Sequence, residues 1–330
     1  MKRREAILAI AVLAAAPGAT AQQARKIPRV GVLSPGTSKE AASVQREHFE
    51  RGLRELGWIP GSTILVDYRF AEGSATRLAE LAAEIARSGV DVIVARSPVA
   101  IHAARKATTT IPIVMSGGTD DPVADGLVKN LSRPGGNITG LVSPVFDLDG
   151  KRLELLKETL PKLARVGVLS NPKTEAQLYE QRNAVLQASA RSIKLQIQLL
   201  EVTRAEDIAT ALATADQGRI EALLVRADRF VLDSRWSEIA AMAARHRLPA
   251  IGAFRFFVDG GGLMSYAPSL TALHYRSATY VNRILRGAQP GDLAIEQPTK
   301  FELIVNLKAA KALGIEIPTT VLFRADEVIQ

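Results

Sequence analysis

Cysteine is missing from all 330 residues. Its absence excludes disulfides, thiolate nucleophiles and cysteine-bound metals, and it leaves no acylated cysteine to anchor a lipoprotein. Histidine is nearly as scarce. His48, His102, His246 and His274 are scattered, and none has the spacing of a metal-binding pair. There is no G-x-S-x-G elbow and no phosphate-binding P-loop. With no paired nucleophile and base, the chain does not read as an enzyme, and no cofactor or metal is expected. Long apolar runs are also lacking. "AILAIAVLAAA" (Ala6 to Ala16) is the strongest, and it falls well short of the roughly twenty residues of a membrane span.

That short run carries a message of its own. Lys2, Arg3 and Arg4 precede it, and "ATA" (Ala19 to Ala21) follows it. A basic start, a short apolar centre and an A-x-A site make residues 1–21 a secretory signal peptide. Arg3-Arg4 leaves both the general and the twin-arginine export routes open. The mature protein is expected in the periplasm, soluble and unanchored. The formal charge of +8 suggests nucleic acid at first sight. However, the basic residues are dispersed beside glutamates and form no cluster with aromatics, so they read as a solvated surface.

Short Val/Ile-rich runs punctuate the rest. They are "VGVL" (Val30 to Leu33), "TILV" (Thr63 to Val66), "VDVIVA" (Val90 to Ala95), "IPIVM" (Ile111 to Met115), "VGVL" again (Val166 to Leu169), "LQIQLL" (Leu195 to Leu200), "ALLV" (Ala222 to Val225) and "PAIGAF" (Pro249 to Phe254). Continuous rather than alternating, they read as strands buried on both faces. Between them the apolar period becomes helical, as at Leu78, Leu81, Ala82 and Ile85, or at Leu273, Ser277, Tyr280, Val281 and Ile284. Alternating strands and helices imply a parallel sheet covered on both sides. The series starts twice, at "RVGVLS" (Arg29 to Ser34) and at "RVGVLS" (Arg165 to Ser170). The fold class is therefore α/β, with two doubly wound parallel-sheet lobes, which fits a length of roughly two domains.

Ligands of such sheets bind beyond the carboxyl ends of the strands, where helix N-termini favour anionic groups. The loops at those ends supply the candidate ligand-binding residues: Ser34, Gly36 and Thr37; Ser97; Ser116, Gly117 and Asp120; Asn171; Arg226 and Asp228. Each hydroxyl serves equally well as a helix cap. In "DDPVADG", one of Asp120 and Asp121 caps the following turn while the other is available to a ligand ammonium. Phe254, in a chain with 5% aromatics, is either a ligand wall or a packing contact between lobes. "PGGNITG" (Pro134 to Gly140) reads as a turn.

Several blocks resemble one family, the ABC transporter substrate-binding proteins. These are "DPVADGLVKNLSRPGGNITG" (Asp121 to Gly140), "GKRLELLKETLP" (Gly150 to Pro161), "RHRLPAI" (Arg245 to Ile251), "GGLMSYAPSL" (Gly261 to Leu270), "EQPTKFELIVNLKAAKALGIEIP" (Glu296 to Pro318) and "RADEVI" (Arg324 to Ile329). The resemblance implies a type I periplasmic binding protein fold with three crossing strands as a hinge. It also implies a small polar or amphipathic ligand, such as an amino acid, aromatic ones included, held between the lobes and passed to a permease with its ATPase. A monomer is expected. It implies a first lobe of residues 28–143 plus 262–291 and a second of 144–261 plus 292–330, so that "LMSYAP" and the following helix return to the first lobe. Phe256, Ala267 and the small loop Gly117-Gly118-Thr119 depart from the family pattern near the expected cleft. A ligand-binding sensor that reports to a membrane receptor is the alternative role.

Overall fold

A run buried on both faces must sit between two helical layers, and both series of strands do so. In the computed structural model, which describes residues 26–36, 41–173, 179–227 and 235–330, the first series is β1 (Arg29–Ser34), α1 (Ala41–Glu55), β2 (Leu65–Phe70), α2 (Ala75–Arg87), β3 (Val92–Ala95), α3 (Pro98–Ala107), β4 (Ile113–Ser116) and β5 (Ile138–Leu141). The second is α4 (Asp149–Thr159), β6 (Arg165–Ser170), α5 (Tyr179–Ser192), β7 (Gln196–Glu201), α6 (Asp207–Gln217), β8 (Ala222–Val225), α7 (Trp236–Arg245), β9 (Ala250–Gly252), α8 (Arg255–Asp259) and β10 (Met264–Pro268). The chain closes with α9 (Leu270–Leu285), β11 (Phe301–Asn306), α10 (Leu307–Leu313), α11 (Thr319–Arg324) and β12 (Glu327–Ile329).

The strands form two sheets, in the orders β2-β1-β3-β4-β5 and β12-β11-β10-β9-β8-β6-β7. All described pairings are parallel except β10 with β11. The repeated hexapeptide now has an explanation. β1 lies between β2 and β3, and β6 lies between β7 and β8, so each copy is an inner strand at the start of its own sheet. Each also carries a glycine where a side chain has no room. A Cβ on Gly31 would stand 2.7 Å from Ile85, and one on Gly167 would stand 2.8 Å from Leu200. Val30 and Val32 pack with Phe49, Leu53 and Val281, whereas Leu33 packs on the opposite face with Leu78 and Ile85. The second sheet is likewise buried on both faces, under Trp236 and Phe257 on one side and Leu153 and Leu186 on the other.

The structure corrects three sequence expectations. The second strand is Leu65–Phe70 rather than "TILV". It is an edge strand with largely half-buried residues, so it lacks the continuous apolar run of an inner strand, and Ile64 instead bridges to Pro60 in the preceding turn. "NITG" is not all turn, because Ile138–Leu141 is the strand β5. "LMSYAP" does not return to the first lobe. As β10 it pairs with β9 and β11 in the seven-stranded sheet, and only the following helix, α9, packs on α1, β4 and β5. The antiparallel ladder to β11 holds that strand in the second sheet.

The chain therefore crosses between the sheets three times: after β5, between β10 and α9, and before β11. These crossings are bonded to one another. Val142 N donates to Glu296 O, Glu296 N donates to Gly140 O, and Ser269 N donates to Lys300 O.

Candidate functional site

The carboxyl ends of the inner strands carry the loops that face the gap between the lobes. On the first lobe, most of the hydroxyls singled out above already have local partners. Ser34 Oγ accepts from Gly36 N at 3.4 Å. Ser97 is the N-cap of α3, accepting from Ala100 N at 3.1 Å, with Pro98 at the first helical position. Its buried backbone also leaves no room for a larger loop, since a Cβ on Gly118 would lie 2.9 Å from it. Gly117 has φ +73, and a Cβ there would meet Leu273 at 2.7 Å. The smallness of this loop follows from the closeness of α3 and α9. Thr37 and Asp228 lie outside the described residues.

Ser116 ends β4 and meets His274 of α9, with Oγ and Nδ1 2.6 Å apart and both side chains buried. Burial, with Arg96 and His48 nearby, holds the His274 imidazole well below its ordinary pKa, so it is neutral. Arg96 follows β3 and contacts Gln45 on α1. Its burial lowers its pKa to about 10. The first lobe thus presents one guanidinium and two imidazoles around the ends of β3 and β4.

Asp120 and Asp121 divide their labour as adjacent side chains on an extended loop must. Asp121 Oδ1 accepts from Val123 N at 2.9 Å and Ala124 N at 3.0 Å, capping its own turn. Asp120 turns inward, and its two oxygens accept from Val145 N and Phe146 N, each at 3.0 Å. Val145 and Phe146 belong to the first crossing. Arg182 of α5, in the second lobe, lies 3.5 Å from the same carboxylate. One aspartate therefore ties the first lobe, a crossing and the second lobe together. Ser143, in the same crossing, is buried with its hydroxyl unpartnered among the described residues.

The second lobe answers with an ion network. Asp149, at the start of α4, accepts from Arg152 Nη1 at 2.6 Å and from Arg226 Nε at 2.5 Å. Arg152 also donates to Tyr266 O and Val145 O, and Arg226 donates to Asn183 Oδ1 at 2.8 Å. The guanidinium of Arg182 lies 4.3 Å from the Phe146 ring centroid, and that of Arg226 lies 5.9 Å from it. Asn171 follows β6, with Oδ1 accepting from Lys173 N. Ser170 and Tyr179 share a hydrogen bond of 3.0 Å.

Between the lobes lies a cavity of about 810 Å³. Gln45, His48 and Leu270 line it from the first lobe, and Ala253, Phe254 and Pro268 line it from the second lobe and the crossing. Phe254 also joins the core of the second lobe, so it is both a packing residue and a cavity wall.

Sequence reasoning reached Phe254, which lines this cavity, and Asn171 and Arg226, which line another, much smaller one, whereas its choices Ser34, Gly36, Ser97, Ser116, Gly117 and Asp120 line neither. It missed Phe146, Asp149, Arg152, Tyr179, Arg182 and His274. Scarcity of aromatics was the available signal for Phe146. The arginines lie on helices among many other charges, and no spacing rule marks them.

Two doubly wound sheets joined by bonded crossings around a polar gap define a two-lobed binding protein. Among the described residues, no group of three or more His, Asp or Glu is placed to hold a metal. The chain belongs to the ABC transporter substrate-binding protein family, whose profile matches residues 30–329. It is a substrate-binding protein of an ABC transporter, a class that binds solutes outside the cytoplasm. It is 28% identical to a tyrosine-binding protein of Clostridioides difficile over 271 residues, which is 82% of this chain and 76% of that one. It is similar to a Streptococcus pneumoniae ABC domain in complex with L-Trp: 25% identity, TM-score 0.81, 92% of this chain and 99% of that one. A ligand-free, open substrate-binding protein with adhesive properties from Clostridium difficile matches with 26% identity and the same coverage, but a TM-score of 0.70. At nearly equal identity, the lobes superpose better on the liganded relative.

Proposed function

We propose that this chain captures an amino acid, an aromatic one such as tryptophan or tyrosine, between its lobes and delivers it to a membrane permease. The observation that carries this reading is the inter-lobe cavity, large enough for such a ligand and walled by Phe254. The tyrosine and tryptophan named for two relatives support it. The lobe that binds first gains contacts to the second only on closure, and that difference shifts the population toward the closed form. Residues 1–21, outside the described part, are proposed to direct export and to be removed. The mass of the protein from the periplasmic fraction checks that.

The direct test is thermal unfolding of the mature protein against the twenty amino acids and a set of sugars. A ligand at a hundred times its dissociation constant adds about 2.7 kcal/mol, which for a chain of this size raises Tm by several degrees. Tryptophan or tyrosine is expected to give that rise. A sugar giving it while every amino acid fails would overturn the reading.

A further inference from the structure

We propose that α1 supplies the carboxylate anchor of the inter-lobe cavity, where Gln45 and His48 donate hydrogen bonds to the α-carboxylate of the captured amino acid. This rests on the amino-acid reading above and adds the orientation of the ligand between the lobes.

Gln45 and His48 are three residues apart on α1, so they share a helix face, and both line the inter-lobe cavity. An arginine fixes what each of them can offer, because a guanidinium only donates. Arg96 Nη2 donates to Gln45, so the amide oxygen faces Arg96 and the amide nitrogen is left to donate. Arg51 Nη2 donates to His48 Nδ1 at 2.9 Å, so the neutral ring carries its proton on Nε2, at its other edge. Arg51 is held in turn, with its guanidinium 5.3 Å from the Tyr275 ring centroid and 3.9 Å from Glu55. Two N–H donors of fixed sense therefore stand one turn apart on the first-lobe wall, each backed by a guanidinium. That arrangement suits a group with two acceptor oxygens and a negative charge, which is a carboxylate.

The wall supplied by β11, β12 and α8 is the wrong one for that group. Glu302, Asp326 and Glu327 line it, and its two cations are already paired. Arg255 donates to Asp259 and Glu327, and Lys300 lies 3.8 Å from Glu302. A carboxylate turned toward this wall would meet like charge. With the carboxylate at α1, the ring of the ligand is left to Phe254, Pro268 and Leu270, which line the same cavity.

The test is calorimetric titration of the mature protein at pH 7.5 with L-tryptophan, L-tyrosine, tryptamine and tyramine, repeated on Gln45→Glu and His48→Phe. The first variant keeps the shape of the side chain and the acceptor that faces Arg96, but it replaces the donor with a second acceptor. The second keeps a ring without its donor. Wild type is expected to prefer each acid over its amine. Each variant is expected to lose about tenfold or more for the acids and little for the amines, so that the preference shrinks. A merely structural role would weaken acid and amine alike. Folded Gln45→Glu and His48→Phe proteins that keep the full preference overturn the anchor while leaving the amino-acid reading intact. Wild type that binds none of the acids overturns the reading beneath it. Should both variants fail to fold, a crystal structure of wild type with L-tryptophan decides. The carboxylate within hydrogen-bond distance of Gln45 Nε2 or His48 Nε2 supports the proposal, and the carboxylate elsewhere refutes it.

Discussion

His274 occupies a place where an imidazolium would be expensive: it is buried against Ser116, with Arg96 and His48 as further positive neighbours. Its folded pKa lies well below the ordinary value of 6.5. The unfolded chain therefore takes up the proton first as pH falls, and stability drops below about pH 6.5 with a slope of up to about 1.4 kcal/mol per pH unit. Denaturant unfolding at pH 7.5 and pH 5 is expected to show this loss, and His274→Asn is expected to flatten it. A wild-type profile that is flat across that range would contradict the assignment. Ser97, by contrast, caps its own helix. Ser97→Ala removes a buried cap and is expected to cost about 1 kcal/mol, read as a lower midpoint in urea with an unchanged slope.

Elements raise a different question, which is why β5 and β10 escaped their expected places. Gly140 within β5 has φ +123, and a Cβ there would lie 2.3 Å from Met115 O. The glycine that made the segment look like a turn is what lets the strand press against β4. Gly140→Ala combines backbone strain with overlap on backbone atoms, so a loss of about 3 kcal/mol or more is expected, measurable as a Tm lowered by many degrees. β10 is held by register instead. Met264 through Pro268 pair with Val305 back to Phe301, and this ladder outweighs any tendency of the segment to follow α9 into the first lobe.

The whole molecule is governed by what joins its halves. Asp120 caps the first crossing and faces Arg182 across the gap. With the two side chains only 5% and 17% exposed, this pair is largely shielded from water, and removing one partner leaves the other charge under-compensated. Arg182→Gln is therefore expected to favour the open arrangement, to weaken ligand binding by about tenfold and to lower Tm of the ligand-free protein. Small-angle scattering provides the matching global readout: ligand is expected to reduce the radius of gyration of wild type, and Arg182→Gln is expected to need more ligand for the same reduction.

From the linear chain alone one can read the α/β class, the pair of lobes and the strand ends where a ligand would lie. Those features depend on local hydrophobic period and on the repeated "RVGVLS", and both are properties of neighbours along the sequence. The same local chemistry offered Ser97 as a cap or a ligand group and one of Asp120 and Asp121 as the turn's cap, and the fold made Ser97 and Asp121 the caps. Only the folded molecule put β10 in the second sheet, set Arg182 of α5 against Asp120 and gathered Asp149, Arg152 and Arg226 into one network. Arg182 and Asp120 are 62 positions apart and Arg226 and Asp149 are 77, and electrostatics and hydrogen bonding act through space. Charges that look alike on a helix in sequence become surface or site only when packing decides which of them lose water.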